Sequence, residues 1–170
     1  MNTGQSLFSI GALLLLSLTV LRVNNNILMT DTIMYDSKFG IMANSVATSL
    51  IEKASEKFFD ANTAEGPVDN LNELTLALGP GTGETTPENF NDFDDFNTYT
   101  QEDTFFTSLV FYSNCTVAYV DPSVNLDNIV STQTWHKKLT VSVTWRQSDE
   151  MTGSVADTII QSTIYSYWYF

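Results

Sequence analysis

The N-terminal third limits the fold most: the first 59 residues contain no proline. Proline removes a backbone donor and clashes with the preceding helical turn, so its absence permits one uninterrupted helix. That stretch carries two chemistries. Leu7–Val23 is an apolar run of 17 residues, interrupted by Ser9, Gly11, Ser17 and Thr19, with Arg22 near its far end. Asn24 onward is amphipathic. At 1.5 Å rise per residue the whole helix would measure about 80 Å, far more than a bilayer needs.

The apolar run sits at the lower edge of a membrane-spanning length. A secretory signal peptide would need a basic start and a small-residue cleavage site. No Lys or Arg precedes this run, and Val20-Leu21-Arg22-Val23 is bulky. A membrane anchor for an outside domain fits better, although Arg22 follows the run, against the usual positive-inside bias. Ser9, Gly11, Ser17 and Thr19 are small or hydroxylated, which permits close helix–helix contact within lipid. Asn24-Asn25-Asn26 predicts a locally weak or melted stretch, because asparagine amides compete for backbone groups.

Beyond the asparagines, Tyr35, Phe39, Met42, Val46, Leu50, Ala54 and Phe58 recur at spacings of three and four, an apolar stripe expected to lie on this chain's own sheet. Ile27, Met34 and Ile41 form a second, sevenfold set available to neighbouring subunits. Residues 60–103 read as loop-rich; Leu71–Leu78 predicts a short helix or strand ended by Gly79-Pro80-Gly81-Thr82-Gly83. Three strands follow: Phe105–Val120, His136–Arg146 and Ala156–Phe170. The last two form an antiparallel hairpin across Gln147–Ser154. Tyr165, Tyr167, Trp168, Tyr169 and Phe170 make an aromatic C-terminal end, expected to pack against a neighbour. The fold class is α+β: a long N-terminal helix whose C-terminal half packs on a small antiparallel sheet of three or four strands. The organisation is residues 5–59 helix, with 7–23 as its apolar part, and residues 60–170 a β-rich head.

Charge narrows the partners. Seven basic against 20 acidic side chains give a formal net charge of −13. Such a balance opposes contact with nucleic acid or anionic headgroups. The single cysteine, Cys115, excludes an intrachain disulfide and reads as a small buried hydrophobe. The lone histidine, His136, beside Lys137 and Lys138, reads as a surface residue. No catalytic constellation is evident, so no enzymatic role is expected, and no cofactor other than calcium is suggested. Asp92, Asp94, Asp95 and Asn97 supply the hard oxygen ligands that calcium takes, without the glycine and distal glutamate of an EF-hand loop; a solvated acidic loop is the alternative. Asn114-Cys115-Thr116 matches the glycan-acceptor pattern. That pattern is short enough to arise by chance, and its place inside a predicted strand argues against modification.

Gly4-Gln5-Ser6-Leu7-Phe8 ahead of an apolar run resembles the processing region of type IV pilins and type II secretion pseudopilins. Asp92-Phe93-Asp94-Asp95-Phe96-Asn97-Thr98-Tyr99 is similar to an Asp-rich stretch of some minor pilins, and Lys138–Trp145 with Thr158–Ser162 to the closing strands of their heads. The resemblance implies a leader at residues 1–4, cut by a prepilin peptidase between Gly4 and Gln5, and a methylated new N-terminus. It also implies assembly through Leu7, Phe8, Ser9, Gly11, Leu14 and Leu18 into a helical filament of like subunits or other pilins. The subunit would reside in the inner membrane first and in an extracellular filament at the cell surface afterwards. Calcium in some pseudopilin heads would suit the acidic stretch. Ser9 stands where the family usually has a glutamate that pairs with a neighbour's terminal amine, and the family's helix proline is absent. The competing expectation is a membrane-anchored extracytoplasmic binding protein that does not polymerise.

Overall fold

The computed structural model describes residues 3–106, 109–123, 125, 127–147 and 156–168. Helix α1 spans Thr3–Ser55 and is α-helical through Asn24-Asn25-Asn26. The expected weak point is therefore not a break. Hydroxyl side chains along α1 return to their own helix: Thr19 donates to the Leu15 carbonyl (2.8 Å) and Thr30 to that of Asn26 (2.8 Å). The helix ends at Ser55, four residues before the expected Phe59.

The chain divides into two compact units, Met1–Ile41 and Met42–Phe170. In the first, the apolar side chains from Leu7 to Val23 are exposed, as are Ile27, Met34 and Ile41, and Tyr35 stacks on Phe39 at 6.1 Å.

In the second unit the last turns of α1 precede a short helix α2 (Ala61–Glu65), an all-antiparallel sheet and their loops. The strands are β1 (Thr100–Phe106), β2 (Leu109–Val120), β3 (Ile129–Val130), β4 (His136–Gln147) and β5 (Ala156–Ser166). Their order is β1-β2-β4-β5, with β3 also on β2. The α+β expectation holds, with five strands instead of three or four. The single strand expected from Phe105 is the end of β1 followed by β2, and β1 itself begins in the stretch expected to be loop.

Alternation sets the sheet's faces. Leu139, Val141, Val143 and Trp145 of β4 are buried with Leu109, Phe111, Ser113, Cys115, Val117 and Tyr119 of β2. The pairings Cys115↔Val141 and Val143↔Ile159 carry that face into β5. Asn44 and Thr48 of α1 both meet Gln161 on this face (2.6 and 3.4 Å). The buried helical stripe is Ala43, Ala47, Leu50 and Ala54. Met42 and Val46 are only half-buried, and Phe58 is exposed while Phe59 is buried. The expected stripe is met at Phe39, Leu50 and Ala54, all buried, and is displaced by one position at Met42 and Val46, where the larger residues suggested the neighbouring register. The sheet supplies the bulk, so the helix turns its alanines inward, alternating small against large across the layer.

Candidate functional site

Two regions carry the residues singled out by sequence. The first is the start of α1. Gly4 and Gln5 lie within the helix, and Leu7, Phe8, Leu14 and Leu18 are exposed, Phe8 at 82%. Ser9 donates its hydroxyl hydrogen to the Gln5 carbonyl (3.0 Å), so its polar atom is satisfied by its own helix. A Cβ added at Gly11 would meet nothing within 4 Å. No contact inside the described chain requires glycine there. The apolar stretch of α1 is unburied, and this helix is long and apolar enough to cross a membrane. Met1 and Asn2 of the expected leader lie outside the described residues.

The second region is the acidic stretch. Asp92 caps a 3₁₀ turn, Phe93–Phe96, by accepting from the N–H groups of Asp94 (2.9 Å) and Asp95 (3.2 Å). Asp95 reaches back to accept from Asn91 (2.8 Å) and Asp92 (3.1 Å). This reciprocal arrangement is a capping box, built here with aspartate at the third position. A backbone bridge ties Asp92 to Phe58, just past the end of α1. Asn97 donates to the Leu78 carbonyl and accepts from the Val117 N–H, both at 3.0 Å, stapling the loop to β2.

Asp94 points to Lys137, the second residue of β4 and fully buried. The Lys137 ammonium donates to the Phe59 carbonyl (2.8 Å), to Asp60 Oδ2 (2.8 Å) and to Asp94 Oδ1. A lysine has three donors, and all three are used. The Phe59 and Tyr119 rings lie 4.7 and 5.4 Å from the charge, close enough for cation–π attraction. Asp60 also accepts from the Thr75 N–H (3.0 Å) and hydroxyl (2.5 Å) and caps α2 through Asn62 (3.2 Å). The Tyr119 hydroxyl donates to the Thr75 carbonyl (2.6 Å). Gly79, at φ +143°, turns its N–H toward Asp94 (3.4 Å) in a conformation that side chains resist.

This enclosure sorts the carboxyls by charge. Burial alone would raise Asp60, but Lys137, Thr75 and Asn62 outweigh it and hold the group below its ordinary value. Burial and the adjacent Asp94 and Asp95 charges push Asp92 from 3.8 to about 8. Burial also raises Asp94 and Asp95. One ammonium cannot balance every carboxylate here, so the cluster retains a proton at neutral pH.

Among the described residues, no group of three or more His, Cys, Asp or Glu side chains is arranged to hold a metal ion. A cation at Asp92, Asp94, Asp95 and Asn97 would have to displace backbone N–H groups or the Lys137 ammonium. His136 is half-buried and its Nδ1 lies 2.7 Å from the Ser166 hydroxyl. Among the described residues no carboxylate hydrogen-bonds His136; Asp121 feels its charge but accepts from the Ser123 N–H and hydroxyl. Tyr165 and Tyr167, both half-buried, pack against Phe59 within the head (5.9 and 5.6 Å). Trp168 is exposed, and Tyr169 and Phe170 lie outside the described residues.

No protein-family model, curated protein or solved structure matches this chain.

Two measurements follow from the cluster. Lys137→Met strands Asp60 and Asp94 without their cation and is expected to destabilise the protein by about 3–5 kcal/mol in urea unfolding; a loss below about 1 kcal/mol would make the ion cluster incidental. The Asp92 shift has a definite sign. A group whose folded value is raised contributes stability that is full below 3.8 and disappears as pH rises toward about 8. Unfolding midpoints should therefore fall across that window. Asp92→Asn, which keeps the cap and removes the charge, should flatten the fall and raise the midpoint at the upper end of the window.

Proposed function

We propose that the chain is a structural subunit of a type IV pilus-like filament or secretion pseudopilus, assembled through its N-terminal helix. The observation that carries this reading is the exposure, on every side, of Leu7–Val23 at the start of a helix that continues to Ser55. Leaving one such leucine or valine in water forfeits about 1.5–3 kcal/mol, so a run of this kind requires a cover. Lipid is one cover and the same run from other copies is another. In lipid the hydrophobic effect no longer drives association, and close packing of small residues takes over. Gly11, where an added Cβ meets nothing within 4 Å among the described residues, suits that packing.

In this reading a prepilin peptidase cuts between Gly4 and Gln5 while the helix resides in the inner membrane, and Gln5 is methylated. Extraction then exchanges lipid for neighbouring helices, and the head is displayed at the cell surface. Ser9, bonded to its own helix, offers no charge to a neighbour's terminal amine, so assembly rests on apolar packing. A simple anchor for a non-polymerising binding head has the same hydropathy and differs in needing no contact between copies.

Electron microscopy of producing cells separates the two. Filaments are expected from the natural chain, with a methylated Gln5 at the subunit N-terminus by mass analysis. Gly11→Leu and Ser9→Leu should leave the head folded and abolish or sharply reduce filaments. Absence of filaments from the natural chain, with membrane retention intact in all three, would leave the anchor.

A further inference from the structure

We propose that Asn114 is an N-glycosylation site, with its glycan laid on the outer face of the sheet. Asn114-Cys115-Thr116 matches the acceptor pattern; against modification stood the shortness of the pattern and, structurally, its position in a strand. The alternation of that strand removes the objection. Cys115 is buried, whereas Asn114 and Thr116 are exposed on the opposite face. Their side chains thus share one side of β2, about 7 Å apart. The Asn114 amide makes no side-chain hydrogen bond among the described residues.

The surrounding face has room and suitable chemistry. Asn114 pairs with Thr100 on one side and Ser142 on the other, and Thr116 pairs with Thr140. These are short hydroxyl side chains. An open cavity of ≈ 490 Å³ lies here, bounded by Tyr112, Asn114, Ser142 and Thr144, room enough for a sugar ring. Tyr112 precedes Asn114 by two positions and so lies on the same face, 40% exposed. Arg146 approaches its ring to 5.8 Å, which steadies it. The remaining ring surface offers a proximal sugar an apolar platform, and the hydroxyls offer hydrogen bonds.

The donor would be a lipid-linked glycosyl phosphate. The Asn114 amide nitrogen attacks the anomeric carbon, a C–N bond forms, and the anomeric C–O bond breaks. The lipid phosphate leaves with the electron pair, and the amide proton passes to a base of the transferase. Transfer must precede pairing of β2 with β1 and β4, because the acceptor needs an accessible backbone. Once the sheet closes, Asn114 remains on its open face, so the glycan does not oppose folding. The inference rests on the extracytoplasmic placement of the head under the proposed function.

Peptide mass mapping of the full chain purified from its producing cells tests it. The peptide containing Asn114 should carry the mass of at least one sugar. Asn114→Gln and Thr116→Val, two exposed substitutions, should each remove it while the thermal unfolding transition survives. Protease accessibility of the head on intact cells is read in parallel. An accessible head with an unmodified Asn114 peptide overturns the glycan and leaves the filament reading standing. A head sealed from protease on the cytoplasmic side overturns both.

Discussion

The fold of the head turns on one ammonium group. Lys137 brings together chain segments far apart in sequence: the link just past α1 through Phe59 and Asp60, the 3₁₀ turn through Asp94, and the start of β4. Asp60 extends the connection to Thr75, and Tyr119 closes it from β2. A buried charge is tolerable only when every donor is satisfied and opposite charge is near, which makes these loops interdependent. They enclose the lysine together, and if one departs an unpaired charge is left behind. The loop-rich stretch between α1 and β1 thereby acquires a defined path with little regular secondary structure.

The same constraint explains the acidic stretch. Four oxygen-bearing side chains from Asp92 to Asn97 suggest a cation site, and one of them, Asp94, binds the Lys137 ammonium. Asp92 and Asp95 serve the turn's own N–H groups, Asp94 serves Lys137, and Asn97 bridges two backbones. The proton retained by Asp92 is the electrostatic consequence of crowding carboxyls around a single positive charge.

The long helix and the hairpin were legible because their signals are local: no proline, a three-and-four stripe, and clean alternation from Leu139 to Trp145. The inward stripe of α1 was legible at Phe39, Leu50 and Ala54 and displaced by one position at Met42 and Val46, where Ala43 and Ala47 are buried instead, because alanine weighs little in a hydrophobic pattern, although it is what a bulky sheet face requires. β1 was missed because Thr100–Phe106 mixes acids and amides with aromatics, and its strand character comes from pairing with β2. The lysine was missed because its carboxylates lie 77 and 43 residues away. One signal was available: Lys137 shares the parity of Leu139, Val141 and Val143, which places it on the buried face. The exposed apolar start of α1 was legible as a surface needing a cover.

That cover is the centre of the functional account, and a cysteine scan can identify it. Cys115 is fully buried and its thiol is pushed up to about 12, so it does not react under mild oxidation. A Leu14→Cys chain therefore carries one reactive thiol, set in the apolar run. Oxidising it in the membranes and surface fractions of producing cells should give covalent dimers in high yield, well above a Ser131→Cys control on the exposed surface of the head. A Leu14→Cys chain that stays monomeric, or that crosslinks no better than the control, would contradict assembly through the N-terminal helix.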